Sequence, residues 1–281
     1  MTDALKVVTF IDLLFVLLLM TSGTVGGVLG QVIYYFAFFI PLAIAFCYSK
    51  RFKHKREEER GLAEEEKTYL RLNTQSVILS VPLIPFGIGV IILSAMTTSI
   101  ILGIMGFSSE PLPDAPVFEL LITHALVPAI LEEILFRYVP MKLLLPYSAQ
   151  RCVLFSAIYF SLIHCNLFQI PYALVAGIIL MLINVMTESI WPSLVLHLAN
   201  NVLSVIVSKY CVDRVSLIIF VYCVGLVELV SIIYLWRNKE KYKEPLRAAM
   251  ELGDGKLTST YVPLVLAAVT LYVAFTNLFI K

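Results

Sequence analysis

Long apolar runs separated by short polar segments dominate the sequence and predict a bundle of membrane-spanning helices. A spanning helix needs about 20 mostly apolar residues, and nine runs meet or approach this length. We place them at residues 7–29, 31–48, 76–105, 117–145, 152–166, 170–187, 192–209, 215–236 and 261–280. Eight spans are the alternative, if the first two runs form one re-entrant unit. The predicted fold class is an all-α, polytopic membrane helix bundle with eight or nine transmembrane helices.

The composition supports the same class of protein. The 281 residues are 59% hydrophobic and 15% charged, with a mean hydropathy of +0.89. Soluble domains are about 45–50% apolar and about 25% charged. The net charge of +1 gives no reason to expect a nucleic-acid partner. The five cysteines are scattered without a C-x-x-C pair, and we expect them to be free thiols.

The charged residues are concentrated in two segments, 50–72 and 237–256, and they predict the orientation in the membrane. Lys and Arg are enriched in the cytoplasmic segments of membrane proteins. If all nine runs span and segment 50–72 is cytoplasmic, 18 of the 21 Lys and Arg residues lie on the cytoplasmic side. We therefore expect the N-terminus and both charged segments in the cytoplasm, and we expect the membrane to be a bacterial cytoplasmic membrane.

Three charged side chains lie inside the fourth apolar run. An ionised side chain near the bilayer centre costs about 3 kcal/mol or more, so Glu132, Glu133 and Arg137 need partners, water or a function. Glu133 and Arg137 are four residues apart, which predicts an ion pair along one helix face. Glu132 points about 100° away from Glu133 around the helix.

Two histidines can reach the depth of Glu132. Glu132 lies about 15 residues before the turn near residues 146–148, and His164 lies about 16 residues after it. In an antiparallel helix pair both would lie roughly 24 Å from that turn. His197, with Asn201 one helical turn later, starts from the same side of the bundle. The sequence therefore predicts a polar cluster of these four side chains within the membrane.

Other polar residues in the apolar runs have simpler interpretations. Interhelical hydrogen bonding accounts for a single intramembrane His or Asn, and we expect this structural role for His124 and Asn200.

Three short motifs give the chain a resemblance to a known family. Residues 132–137 read E-E-x-x-x-R, residues 160–164 read F-x-x-x-H, and residues 197–201 read H-x-x-x-N. At these residues the sequence resembles the CPBP family of CAAX proteases and bacteriocin-processing enzymes, also called the Abi or type II CAAX prenyl endopeptidase family. The resemblance implies a protease core at residues 117–209. Residues 1–116 and 210–281 would then supply flanking transmembrane helices.

The resemblance implies an intramembrane endopeptidase acting at the cytoplasmic side. Glu132 and His164 would activate a water molecule, and His197 and Asn201 would stabilise the oxyanion. Glu133, Arg137 and Phe160 would support these residues. The expected partners are membrane lipid and a peptide or protein substrate. That substrate is either a prenylated CAAX protein or a bacteriocin or pheromone precursor, and we favour peptide processing or self-immunity.

Alternatives remain at this point. Glu132, His164 and His197 are acceptable zinc ligands, although we favour chemistry without a metal or other cofactor. A proton- or ion-coupled transporter could use the same intramembrane charges as a relay. A non-catalytic immunity or binding protein could keep the same scaffold.

Overall fold

The structure is a computed structural model that describes residues 2–60, 69–71, 74–107, 111–211 and 213–250. Within these residues, all regular secondary structure is helical, which confirms the predicted all-α class. The helices are α1 (Thr2–Val25), α2 (Gly27–Arg60), α3 (Thr74–Ile104), α4 (residues 117–143), α5 (Ala149–Leu162), α6 (Ile170–Thr187), α7 (Trp191–Tyr210), α8 (Arg214–Arg237) and α9 (Lys239–Ala249). The predicted last span, 261–280, lies outside the described residues, as do residues 61–68 and 251–256 of the charged segments.

Six of these helices are long and apolar enough to cross a membrane: α1, α2, α3, α6, α7 and α8. The protein is thus an integral membrane protein with a polytopic helical bundle, as predicted. Helix α4 is continuous but contains two π-helical segments, Leu121–Leu126 and Ile134–Tyr138. Helix α5 has 14 residues and ends at Leu162. The predicted fifth span, 152–166, is therefore wrong at its end, and His164 lies in the turn that follows the helix.

Local sequence signals account for several helix ends. The Ser148 hydroxyl accepts a hydrogen bond from the Arg151 amide at 3.3 Å and caps the start of α5. The Asp213 carboxylate accepts from the amides of Val215 and Ser216 at the start of α8. Pro192 occupies the first turn of α7, where its missing N–H is not needed. Two side-chain caps and one first-turn proline thus favour the starts of these three helices.

Helix α6 is central and packs against α3, α5, α7 and α9. Gly177 of α6 lies so close to α5 that a Cβ atom there would be 2.7 Å from the Ala157 Cα atom. Such an approach is open only to glycine. Because α5 and α6 meet this closely, the turn between them is held in the interior, where it carries His164.

The helices run up and down, so the bundle has two chemically different ends. At the end we call the basic end, α2, α4, α6 and α8 finish, α3, α5 and α7 begin, and α9 follows. Contacts there include the Lys55 ammonium 3.5 Å from the Asp3 carboxylate and the Lys142 ammonium 5.7 Å from the Tyr69 ring centroid. At the other end, which we call the opposite end, α3 and α7 finish and α4 and α8 begin.

The close approach at Gly177 gives a stability prediction. We expect Gly177→Ala to destabilise the protein by about 1–3 kcal/mol, because the added methyl group has no room against Ala157. The matched control is Gly225→Ala in α8, where no atom lies within 4 Å of a built Cβ. The measurement is the thermal unfolding midpoint of both variants in the same detergent. Equal midpoints would contradict the packing argument.

Candidate active site

A cavity of about 200 Å³ lies between α4, α6, α7 and the α5–α6 turn, and we call it the inner cavity. Glu132, His164, His197 and Asn201 all line it. The structure thus brings together the four side chains that the sequence suggested would share one depth. The same cavity is also lined by further polar side chains: His124, Gln169, Tyr172, Asn200 and Ser204.

The two adjacent glutamates have different surroundings. Glu132 lines the inner cavity, whereas Glu133 is fully buried beside it. The Glu133 carboxylate lies 3.5 Å from the Arg137 Nε atom, accepts a hydrogen bond from the Ser193 hydroxyl, and accepts one from His197 Nδ1 at 2.9 Å. The predicted Glu133–Arg137 pair is present in the structure, but the contact between Glu133 and His197 was not predicted.

His197 lies between both carboxylates. Because the Glu133 carboxylate can only accept, His197 Nδ1 carries the proton of their hydrogen bond. The other ring nitrogen, Nε2, faces Glu132 Oε2 at 3.7 Å. This distance is too long for a direct hydrogen bond and leaves Nε2 available at the cavity wall.

Beyond the hydrogen bonds that they make, His164 keeps one acceptor nitrogen and Asn201 keeps one donor nitrogen. His164 Nδ1 lies 2.8 Å from the Phe160 carbonyl oxygen and donates to it, so Nε2 of the neutral ring is an acceptor. The Asn201 side-chain oxygen accepts from Asn200 Nδ2 at 3.4 Å. The Asn201 amide nitrogen then remains a free donor.

Phe160 connects the cluster through its ring. The His164 and His197 rings meet it edge-on, with centroid distances of 5.0 and 5.5 Å. The Arg137 guanidinium lies over its face, 4.1 Å from the centroid. A cation over an aromatic face is stabilised by the ring quadrupole, and the effect is larger in a dry site. Phe160 therefore positions both histidines and supports the buried arginine.

Buried polar residues lie between the inner cavity and the basic end. Four fully buried polar residues lie on that side of it, and we call them the polar floor: Glu133, Arg137, Asn184 and Ser193. They stand near the ends of α4 and α6 and the start of α7, which all lie at the basic end. Buried side chains therefore fill the bundle on the side of Glu132 that faces the basic end.

Toward the opposite end the inner cavity continues into a second cavity of about 690 Å³, which we call the outer chamber. Residues of both cavities include Leu112, Gln169, Tyr172, Asn200 and Ser204. The cytoplasmic location of the basic end and cleavage at the cytoplasmic side both stay predictions. Residue spacing along the helices predicts the depth of the cluster, whereas the direction in which its cavity opens depends on helix packing.

The positions of the candidate ligands Glu132, His164 and His197 do not fit a metal ion. Among the described residues, no three His, Cys, Asp or Glu side chains converge closely enough to hold one. Glu132 and His197 approach each other to 3.7 Å, and His164 uses Nδ1 to bind the Phe160 carbonyl oxygen.

Sequence reasoning missed three residues of this site. Ser193, which binds Glu133, lies one helical turn before His197 on α7, and that spacing could have identified it. His124 lines the inner cavity from a position eight residues before Glu132 on the same helix. Asn200 was expected to be structural, yet it lines both cavities and contacts Asn201.

Comparison with known proteins gives a family match within the chain. Residues 114–203, roughly a third of the chain, match the family model described as type II CAAX prenyl endopeptidase Rce1-like. This match contains all three motifs and confirms the family resemblance. Comparison with curated proteins and with solved structures gives no significant match.

The buried ion pair of Glu133 and Arg137 gives a prediction about how the two side chains together affect the free energy of unfolding. We expect Arg137→Leu to destabilise the protein by about 3–5 kcal/mol, because it leaves the Glu133 carboxylate in a dry site without its cation. Glu133→Gln with Arg137→Leu should cost less than the sum of the two single substitutions. The measurement is a double-mutant cycle of unfolding free energies in detergent. Additive losses would show that the two side chains do not depend on each other.

Proposed function

We propose that the protein is an intramembrane endopeptidase that hydrolyses a peptide bond of a membrane-associated peptide or protein. The observation that carries this proposal is the convergence of Glu132, His164, His197 and Asn201 on one cavity inside a membrane bundle. The similarity of residues 114–203 to a CAAX prenyl endopeptidase family supports it. Amide hydrolysis needs a base for water and donors where negative charge develops, and this cavity offers both.

Glu132 and His164 are proposed to bind and activate the water. The Glu132 carboxylate and His164 Nε2 are both acceptors, so a water between them can donate one hydrogen bond to each. As the water oxygen attacks the carbonyl carbon, one of its O–H bonds breaks and the proton passes to Glu132. The carbonyl electron pair moves onto the oxygen, which becomes the oxyanion of a tetrahedral intermediate.

Asn201 and His197 are proposed to stabilise this oxyanion. Asn201 offers its amide N–H, because its side-chain oxygen is already engaged by Asn200. His197 can offer Nε2–H only as a doubly protonated ring, since its Nδ1–H is engaged by Glu133. When the C–N bond breaks, the leaving nitrogen takes the proton from Glu132.

The substrate, the cofactor and the cellular location are also proposals. We favour a peptide such as a bacteriocin or pheromone precursor over a prenylated CAAX protein, and we propose no metal or other cofactor. The core would be residues 117–209, supported by residues 1–116 and 210–281. The location would be a bacterial cytoplasmic membrane with the charged segments in the cytoplasm.

Removal of the proposed base should abolish cleavage. We expect Glu132→Gln to lower the rate by about 10²–10⁴-fold, because glutamine cannot accept the proton of the attacking water. The matched control is Glu119→Gln, the same change on an exposed position of α4. The assay uses proteoliposomes and a set of internally quenched apolar peptides, with mass spectrometry of the products. Equal rates for Glu132→Gln and wild type would refute the assignment of the base.

A chelator should leave the activity unchanged. We expect the same cleavage rate before and after dialysis against EDTA, because the proposed water is activated by Glu132 and His164 alone. Full loss of activity followed by recovery on addition of zinc would overturn the metal-free mechanism. Metal analysis of the purified protein by mass spectrometry gives a second readout that does not depend on cleavage.

A further inference from the structure

The outer chamber exists because α5 is short. Its 14 residues rise about 21 Å, less than the roughly 30 Å of hydrocarbon that a spanning helix must cross. The α5–α6 turn at residues 163–169 therefore lies within the depth of the bundle. The space beyond it is the outer chamber, bounded by the later turns of α3 and α7 and the first turns of α8.

The walls of the outer chamber suit the apolar part of a polypeptide. They are largely apolar, with Met96, Leu203 and Phe220 among them, and its volume lies within the usual range for ligand sites of about 300–1,000 Å³. Asn166 and Gln169 add side-chain amides that can pair with a peptide backbone.

The charge distribution decides which side of the membrane this chamber faces. Its rim lies at the opposite end of the bundle, where Pro111 precedes α4, Lys209 lies in the last turn of α7 and Leu217 lies in the first turn of α8. Lys209 and Arg214 are the Lys and Arg residues of this end in the described chain, and Lys209 is paired with Asp114 at 3.4 Å. The Lys and Arg bias therefore puts this end on the non-cytoplasmic side.

We infer that the substrate reaches the active site from the non-cytoplasmic side, through the outer chamber, which binds the apolar residues on one side of the scissile bond. This inference rests on the proposed endopeptidase function for its substrate and on the walls shared by the two cavities for its direction. The substrate class is a peptide or a membrane-protein segment exposed at the outer boundary of the membrane. A route from the basic end would have to pass the buried residues of the polar floor.

The test uses one added cysteine at each end, in a Cys211→Ser background. Ser208→Cys lies in the wall of the outer chamber at an exposed position, and Glu244→Cys lies on an exposed position of α9 at the basic end. Both variants and the Cys211→Ser parent are treated with a bulky, membrane-impermeant maleimide. The parent serves as the control, because it reports labelling of the remaining native thiols. The treatment is applied to spheroplasts of a bacterial host and to inside-out vesicles.

We expect Ser208→Cys to be labelled above the parent in spheroplasts and Glu244→Cys only in inside-out vesicles. The reverse pattern would overturn the non-cytoplasmic route, whatever the activity. We also expect the label on Ser208→Cys to lower cleavage of the quenched peptides at least tenfold, while labelled Glu244→Cys keeps its rate. Unchanged cleavage by labelled Ser208→Cys would exclude the chamber as the path. Absence of cleavage by the unlabelled parent and the wild type would instead count against the endopeptidase function.

Discussion

The Glu133 carboxylate is the buried charge around which the core is arranged. It is fully buried in a membrane protein and receives Arg137, Ser193 and His197 at its two oxygens. A buried ion without partners costs several kcal/mol, so these contacts are needed for the fold to tolerate it. Because two of the partners belong to α7, the requirement also locks α4 to α7. The orientation of His197 toward Glu132 is a consequence of that lock.

Phe160 of α5 connects that helix to the buried residues around Glu133. Its ring touches His164, His197 and the Arg137 guanidinium, so one aromatic side chain is in contact with residues of three structural segments. The π-helical segment at Ile134–Tyr138 lies within α4 at the same place. Such segments often occur at functional sites. Here the segment ends the α-helical register directly after Glu133, and Arg137 is presented from within it.

Much of the fold was readable from hydrophobic runs, and the exceptions have physical causes. Helix α6 matches its predicted bounds, 170–187, because its apolar run ends where Glu188 adopts a left-handed conformation. Helix α5 was predicted to reach residue 166 because apolar residues continue past its end. The chain instead turns, with Cys165 at a positive φ of 47°. This turn, like the π segments, depends on tertiary packing that residue spacing does not encode.

The same distinction between residue spacing and tertiary packing applies to the candidate active site. Helical spacing and depth placed Glu132 with His164 and His197, since both follow from distances along helices. Spacing alone paired Glu133 with Arg137 only, because the second contact, to His197, depends on how α7 is rotated against α4. The direction of the cavity also depends on packing, since it is set by which ends of the helices are filled.

The position of the polar floor also has an electrical consequence. With water filling the outer chamber, the aqueous phase on one side of the membrane extends deep into the protein. The water-free part of the membrane barrier is then limited to the polar floor and the protein between it and the basic end. The membrane potential then falls mainly across this thin layer instead of the whole bilayer. A full crossing is worth about 2.3 kcal/mol per charge at 100 mV. The Glu133–Arg137 dipole would lie in this concentrated field, and proton transfer at Glu132 would take place at its edge.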